Sequence, residues 1–204
     1  MTPENGVSRP LRDFFYSLVR TLYMADLARD PVINAINNGI RRGIEVTIAN
    51  GCHGSAVVLI YSGMDSMAFL AMPREQTDVA GKDFIDWADR YIKFPCKDQL
   101  TGADLYGARC AMVHTYSVYS RMSREGKARI IGYMDKSVPE VRYNPDVNKQ
   151  LVLVSVPALA EAFFKGIDQF LVDAFSDKAR APIIEERMKK LVQCLPVSKD
   201  VAGK

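Results

Sequence analysis

Arg109 and His114 stand five residues apart in the stretch RCAMVHTY, which ends at Tyr116. An arginine fork binds phosphate oxygens and stabilises the charge that develops on them during reaction. Imidazole transfers protons near neutral pH. Together they predict metal-free cleavage of a phosphodiester, with Arg109 on the phosphate and His114 as proton carrier. If the ribose 2′-hydroxyl attacks, the products are a 2′,3′-cyclic phosphate and a 5′-hydroxyl, and DNA is spared.

The spacing of this pair restricts how it works. At 100° per residue, the two positions are about 140° apart around an ideal helix. We therefore expect one straight helix not to aim both side chains at one point, so that the pair needs either a bend in the helix or a second subunit. A symmetric homodimer solves this, because an isologous contact places both copies of each residue in one groove. The alternative interpretation is an ordinary helix with one polar face.

Three further residues are candidates for supporting roles. Asp65 is a lone charge in the apolar segment 60–70, and a buried carboxylate normally has a partner. We predict that Asp65 pairs with Arg109 and orients it, the alternative being a water-facing aspartate. Tyr116 is either a modification site or a packed aromatic, and packing is the favoured interpretation. His53, within the sequence NGCHG, is predicted to be a loop residue.

A basic cluster follows the motif directly. Its side chains would bind along an RNA backbone and make the affinity for RNA depend on salt. The common alternative is that these charges are solvated residues at the end of a helix. The cluster consists of Arg121, Arg124, Lys127 and Arg129.

Helices must position these residues. Apolar side chains recur at three- and four-residue intervals along most of the first half of the chain, and a capping box, Thr101 to Asp104, precedes the motif. The pattern predicts helices at about 11–29, 32–49, 55–72, 83–92 and 101–119.

The second half adds a small β element. Two β-branched runs, 128–134 and 151–156, are joined by a segment rich in Pro, Asn and Asp, which predicts two antiparallel strands. Pro157 suits the first turn of a strongly apolar helix, and a last helix is expected at about 182–195. We therefore expect a single domain over 1–204, mainly α, with a β elaboration at about 128–156 and C-terminal helices at about 157–195.

Composition limits the class of protein. The 204 residues are 48% hydrophobic with a net charge of +3, too small an excess for a dedicated nucleic-acid coat protein. The four cysteines show neither a disulfide framework nor zinc-site spacing, so we expect no metal and no cofactor. No signal peptide or apolar run of spanning length is evident, and the expected location is the cytoplasm, with no membrane partner.

The stretch from Arg109 to His114 resembles the R-x4-6-H signature of the HEPN superfamily. That resemblance implies an all-α, often dimeric, metal-independent ribonuclease of toxin–antitoxin, phage-defence or RNA-processing systems. With Tyr116 the stretch also resembles R-x4-H-x-Y, the form found in toxins paired with a nucleotidyltransferase antitoxin that adenylylates the tyrosine. Cys110, where the family often has a polar residue, and the extra strands depart from the pattern.

The leading hypothesis is therefore a HEPN-like helical bundle with a small two-stranded antiparallel β insertion, which cleaves RNA in a groove at a dimer interface. The alternative is a non-catalytic HEPN-like module that binds nucleotide or RNA, or that serves as an oligomeric interaction scaffold.

Overall fold

The computed structural model describes residues 30–135 and 141–194. Over these ranges the chain is mainly helical, with a small three-stranded sheet. The helix expected at 11–29 lies outside the described residues. The described helical elements are a π-helical segment Val32–Arg41, followed by α1 Arg42–Ala49, α2 His53–Ala71, α3 Gly81–Tyr91, α4 Gly102–Thr115, α5 Arg121–Arg124, α6 Val156–Ser176 and α7 Ala181–Met188.

Helix α2 is the centre of the core, as its apolar sequence predicts. Helices α1, α3, α4, α6 and α7 all pack against it. Gly63 allows α6 to approach closely, since a Cβ there would lie 2.7 Å from the Phe163 ring. Among the described helices, α2 alone is long and apolar enough to cross a membrane, a test that core helices also pass, and half of it is buried inside the fold.

The first described helix is wound in two ways. Its predicted extent, 32–49, is confirmed, but residues Val32–Arg41 are π-helical and only Arg42–Ala49 is α-helical. Apolar residues recur every four positions from Val32 to Ile48, more widely than the 3.6 residues of an α-helical turn. A π-helical turn contains more residues than an α-helical turn, so it keeps apolar residues that are four positions apart on the core side. Ile36, on this side, is fully buried.

The prediction of two antiparallel strands is wrong. The strands are β1 Ile130–Met134, β2 Val141–Tyr143 and β3 Leu151–Ser155, in the spatial order β1-β3-β2. β1 and β3 are parallel, and β2 pairs antiparallel with β3. The segment interpreted as a long connection contains β2, which reverses the chain between the two parallel strands. A strand of three residues is too short to give a visible alternating pattern.

Several boundaries also differ from the expectations. Helix α4 stops at Thr115 rather than near Tyr119, because Tyr116 adopts a left-handed backbone conformation with φ 51°. Helix α7 ends at Met188 rather than 195. His53 is the first residue of α2 and not a loop residue.

Candidate active site

The start of α4 is fixed by the predicted capping box. The backbone N–H of Asp104 donates to Thr101 Oγ1 at 3.1 Å, and Thr101 N–H donates to Asp104 Oδ2 at 2.9 Å. The same carboxylate receives Arg129, whose Nη2 lies 2.6 Å from Oδ2 and whose backbone N–H donates to Oδ1 at 2.7 Å. These bonds tie the helix that carries the motif to the first strand of the sheet.

Arg129 therefore lies apart from the predicted RNA-binding surface. Its side chain is only 21% exposed, and it also donates to the Gln99 carbonyl oxygen and stacks over the Tyr143 ring. Burial works against ionisation of Asp104, but the hydrogen bonds from Arg129 and Thr101 prevail and lower its pKa. The arginine acts in this structure as an internal support of α4.

The other three members of the basic cluster are exposed. Arg121 and Lys127 both bind Glu125, at 2.6 and 2.7 Å. Hydrogen bonds from Lys127 and Arg121 lower the pKa of Glu125 to about 2. Arg124 is exposed beside them. One carboxylate thus offsets part of the positive charge that the sequence places after the motif.

Arg109 pairs with Asp65, as predicted. Both Nε and Nη2 of the guanidinium lie 2.8 Å from Asp65 Oδ2, across the α2–α4 contact. The two side chains are 22% and 25% exposed, so the pair is accessible from one side only. Two of the three guanidinium nitrogens therefore contact Asp65.

Nη1 of Arg109 lies 3.3 Å from His114 Nε2 in the same protomer. The expectation that one helix cannot bring these groups together is wrong. The long arginine side chain spans the intervening turn, and side chains on a helix lean toward its N-terminus, which brings the imidazole back toward the arginine. Asp65, Arg109 and His114 consequently form a continuous chain of polar contacts on one surface.

Burial affects the pKa values of Asp65 and Arg109 differently. Burial raises the pKa of Asp65 above its ordinary value, and Arg109 offsets only part of that effect. Burial would lower the pKa of Arg109, but the hydrogen bond and charge of Asp65 raise it, so the guanidinium stays charged. Because a guanidinium only donates, Arg109 Nη1 is the donor of this 3.3 Å contact and His114 Nε2 is the acceptor.

Tyr116 spans the gap between the end of α4 and the start of α2. Its left-handed backbone is held by bonds from Tyr116 N–H to Met112 O and from Ser117 N–H to Ala111 O. The side chain is 64% exposed, yet its hydroxyl end lies directly over Gly54, where a Cβ would be 1.8 Å from Oη. The favoured packing interpretation thus holds for the hydroxyl end of the ring only.

Two cavities flank the polar chain. One, of about 640 Å³, lies between the start of α2 and the end of α4 and includes His114 and Tyr116. The other, of about 750 Å³, lies between the π-helical segment, α2 and residues 190–194, and includes Asp65. Leu59 lines both. The smaller of these two cavities is not predictable from the sequence, because its walls come from residues nearly sixty positions apart with no shared motif.

Searches against protein-family models, curated proteins and solved structures found no match to this chain. Within the described part of the chain, no three His, Cys, Asp or Glu side chains are grouped so as to hold a metal ion. The geometry of Asp65, Arg109 and His114 is the feature that bears on function.

Proposed function

We propose that this protein is a HEPN-like, metal-independent endoribonuclease that acts on cytoplasmic RNA. The observation that carries the proposal is the contact between Arg109 Nη1 and His114 Nε2, with the other side of the guanidinium held by Asp65. A cation that binds phosphate and a base that takes a proton are the two groups that transesterification of RNA needs.

Each residue has a defined task in this mechanism. Asp65 holds Nε and Nη2, so that Arg109 presents Nη1 to a non-bridging oxygen of the scissile phosphate. The phosphate displaces Nη1 from His114, and Nε2 then accepts the proton of the 2′-hydroxyl as that oxygen attacks phosphorus. The bond from phosphorus to the 5′-oxygen breaks, and the leaving oxygen takes up a proton. The products are a 2′,3′-cyclic phosphate and a 5′-hydroxyl end.

A homodimer remains part of the proposal, for a reason other than the spacing. One imidazole accepts the proton of the 2′-hydroxyl on one side of phosphorus. A separate group has to donate a proton to the leaving 5′-oxygen on the other side. The His114 of a second copy facing across a two-fold axis would supply it. The exposed apolar side chain of Val118, just beyond the motif, offers surface for that contact.

The test of this proposal is cleavage of single-stranded RNA in a buffer that contains EDTA to remove metal ions. His114→Gln keeps the size and polarity of the side chain but does not transfer protons, and we expect a rate loss of roughly 10²–10⁴-fold. Arg109→Ala should cost about 10²–10³-fold. Arg42→Ala, which removes an exposed arginine on α1, is the matched control and should leave the rate unchanged.

The chemistry of the products is the second part of this test. A single 2′-deoxyribose at the scissile position should block cleavage there, and the 5′ fragment should end in a cyclic phosphate. Cleavage that survives in His114→Gln, or at the deoxyribose, would refute the assignment. Circular dichroism and urea unfolding of each variant separate loss of chemistry from loss of fold.

A second candidate is favoured by the engagement of Arg109 with Asp65. Arg109 has a side chain that is 22% exposed, and two of its nitrogens contact the Asp65 carboxylate. Such an arrangement is typical of a structural ion pair. In this case the protein is a non-catalytic HEPN-like module that binds RNA or nucleotide. Binding of RNA without cleavage, unaffected by His114→Gln, would identify it. Recognition by a nucleotidyltransferase antitoxin, with modification of Tyr116, stays a prediction under both functions.

A further inference from the structure

The cavity beside His114 has the composition of a binding cleft for a flat, apolar group. Val58 and Leu59 of α2 face Val113 of α4 across it, and Leu59 and Val113 are 37% and 38% exposed. The hydroxyl-bearing residues Ser55 and Thr115 also line it. The depression is open to solvent and mainly apolar, and its few polar groups can fix the orientation of a ligand.

Tyr116 forms one wall of this cleft and is held there from two directions. The end of α4 fixes its backbone in the left-handed conformation, and the absence of a Cβ at Gly54 lets its hydroxyl end sit against the start of α2. The ring is anchored at both ends and 64% exposed between them. An anchored, exposed aromatic ring is a surface on which a base can stack.

The charge at the mouth of the cleft identifies the ligand further. His114 lines the cleft, and Nη1 of Arg109 is 3.3 Å from its imidazole. A molecule that fills the cleft and reaches these two groups must join a flat, apolar part to an anion over a short distance. A nucleotide has this form, with the base and the phosphate on one ribose.

We infer that this cleft binds the nucleobase next to the scissile phosphate, stacked on Tyr116 and packed against Leu59 and Val113. The position of the phosphate rests on the proposed ribonuclease function, whereas the base cleft itself is defined by α2, α4 and Tyr116. The cleft would make the enzyme select unpaired bases, because a base in a duplex is not free to enter it.

The test is a titration followed by the methyl NMR signals of the protein. The probes are adenosine 3′-monophosphate and cytidine 3′-monophosphate, with inorganic phosphate and the two free nucleosides as references. We expect the mononucleotides to bind at least tenfold more tightly than phosphate, which corresponds to a stacking contribution of about 1.4 kcal/mol. The largest shifts should fall on the methyl groups of Val58, Leu59 and Val113.

Three variants locate the effect. Tyr116→Ala should reduce the affinity for mononucleotide to that for phosphate, and Tyr119→Ala, which removes an exposed tyrosine outside the cleft, should not change it. Leu59→Gln, at a position on α2 that is 37% exposed, tests the cleft without changing a residue at the end of α4. It should weaken mononucleotide binding and leave phosphate binding intact.

Equal affinity for mononucleotides and phosphate would overturn the inference, as would tight binding that both Tyr116→Ala and Leu59→Gln leave unchanged. The proposed function fails separately. Nucleoside binding in the cleft without any RNA cleavage would support the inference and refute the ribonuclease. RNA cleavage that depends on His114, in a protein that binds nucleosides no better than phosphate, would support the ribonuclease and refute the base cleft.

Discussion

Replacing Asp104 by asparagine should destabilise the protein strongly at neutral pH, because this carboxylate holds the start of the motif helix to the sheet. Its side chain is 4% exposed and accepts from Thr101 and from the backbone and guanidinium of Arg129. All of these partners are donors. An asparagine must turn its own amide N–H₂ toward at least one of them, and it leaves the charge of Arg129 without a counter-ion.

The size of the effect follows from these contacts. Removing one partner of a buried ion pair typically costs about 3–5 kcal/mol. Asparagine keeps one acceptor oxygen, and Arg129 is 21% exposed and also bound to the Gln99 carbonyl. We therefore expect the free energy of unfolding to fall by about 3 kcal/mol, at the lower end of that range.

The pH dependence has a definite sign. The pKa of Asp104 is lowered in the folded state, so its ionised form adds stability above the ordinary aspartate value of about 3.9. That contribution is lost as the pH falls through the folded-state pKa. The difference between wild type and Asp104→Asn should therefore be full at pH 7 and should shrink below about pH 4.

Urea unfolding followed by tryptophan fluorescence measures this difference, because Trp87 is the single tryptophan of the chain and is 3% exposed. A loss of about 3 kcal/mol should lower the midpoint by about 1 M or more. Asp86→Asn, at an exposed ion pair on α3, is the control and should shift it little. A difference that stays constant from pH 7 to pH 3 would refute the role assigned to the charge of Asp104.

Two other substitutions test the site residues. Burial raises the pKa of Asp65 in the folded state. The stability that the protonated carboxyl contributes is therefore present below about pH 3.9 and declines as the pH rises through the folded-state pKa. In urea unfolding, Asp65→Asn should consequently be less destabilising at pH 7 than at pH 3.5. A trend in the same direction as that of Asp104→Asn would contradict this. Tyr116→Gly should raise the free energy of unfolding by about 1 kcal/mol, because glycine adopts φ 51° without strain, while mononucleotide affinity falls. Lower stability would mean that the contact with Gly54 outweighs the strain.

Local patterns in the sequence predicted much of the helical structure. The capping box at Thr101 and the apolar face of α2 are short-range features, and each lies where the pattern indicates. The pairing of Asp65 with Arg109 was also predictable, because a lone charge in an apolar helix needs a partner. In these cases the information is within one helix or in one unbalanced charge.

The errors arose where the structure depends on distant parts of the chain. The direction of β1 relative to β3 depends on β2, whose three residues lie in a segment rich in turn formers. The contact between Arg109 and His114 depends on side-chain reach, which angular positions around a helix do not represent. The cleft beside Tyr116 needs α2 and α4 to be placed side by side, and no residue type marks it in advance.

The order of the strands has a consequence for synthesis of the protein. β3 occupies the centre of the sheet but is the last of the described strands to leave the ribosome. Until residues Leu151–Ser155 emerge, β1 has no hydrogen-bonding partner among the described strands, and Arg129 has no finished sheet behind it. A nascent chain that ends before β3 thus carries the complete motif helix on an unfinished support, and the proposed nuclease activity would be acquired only late in translation.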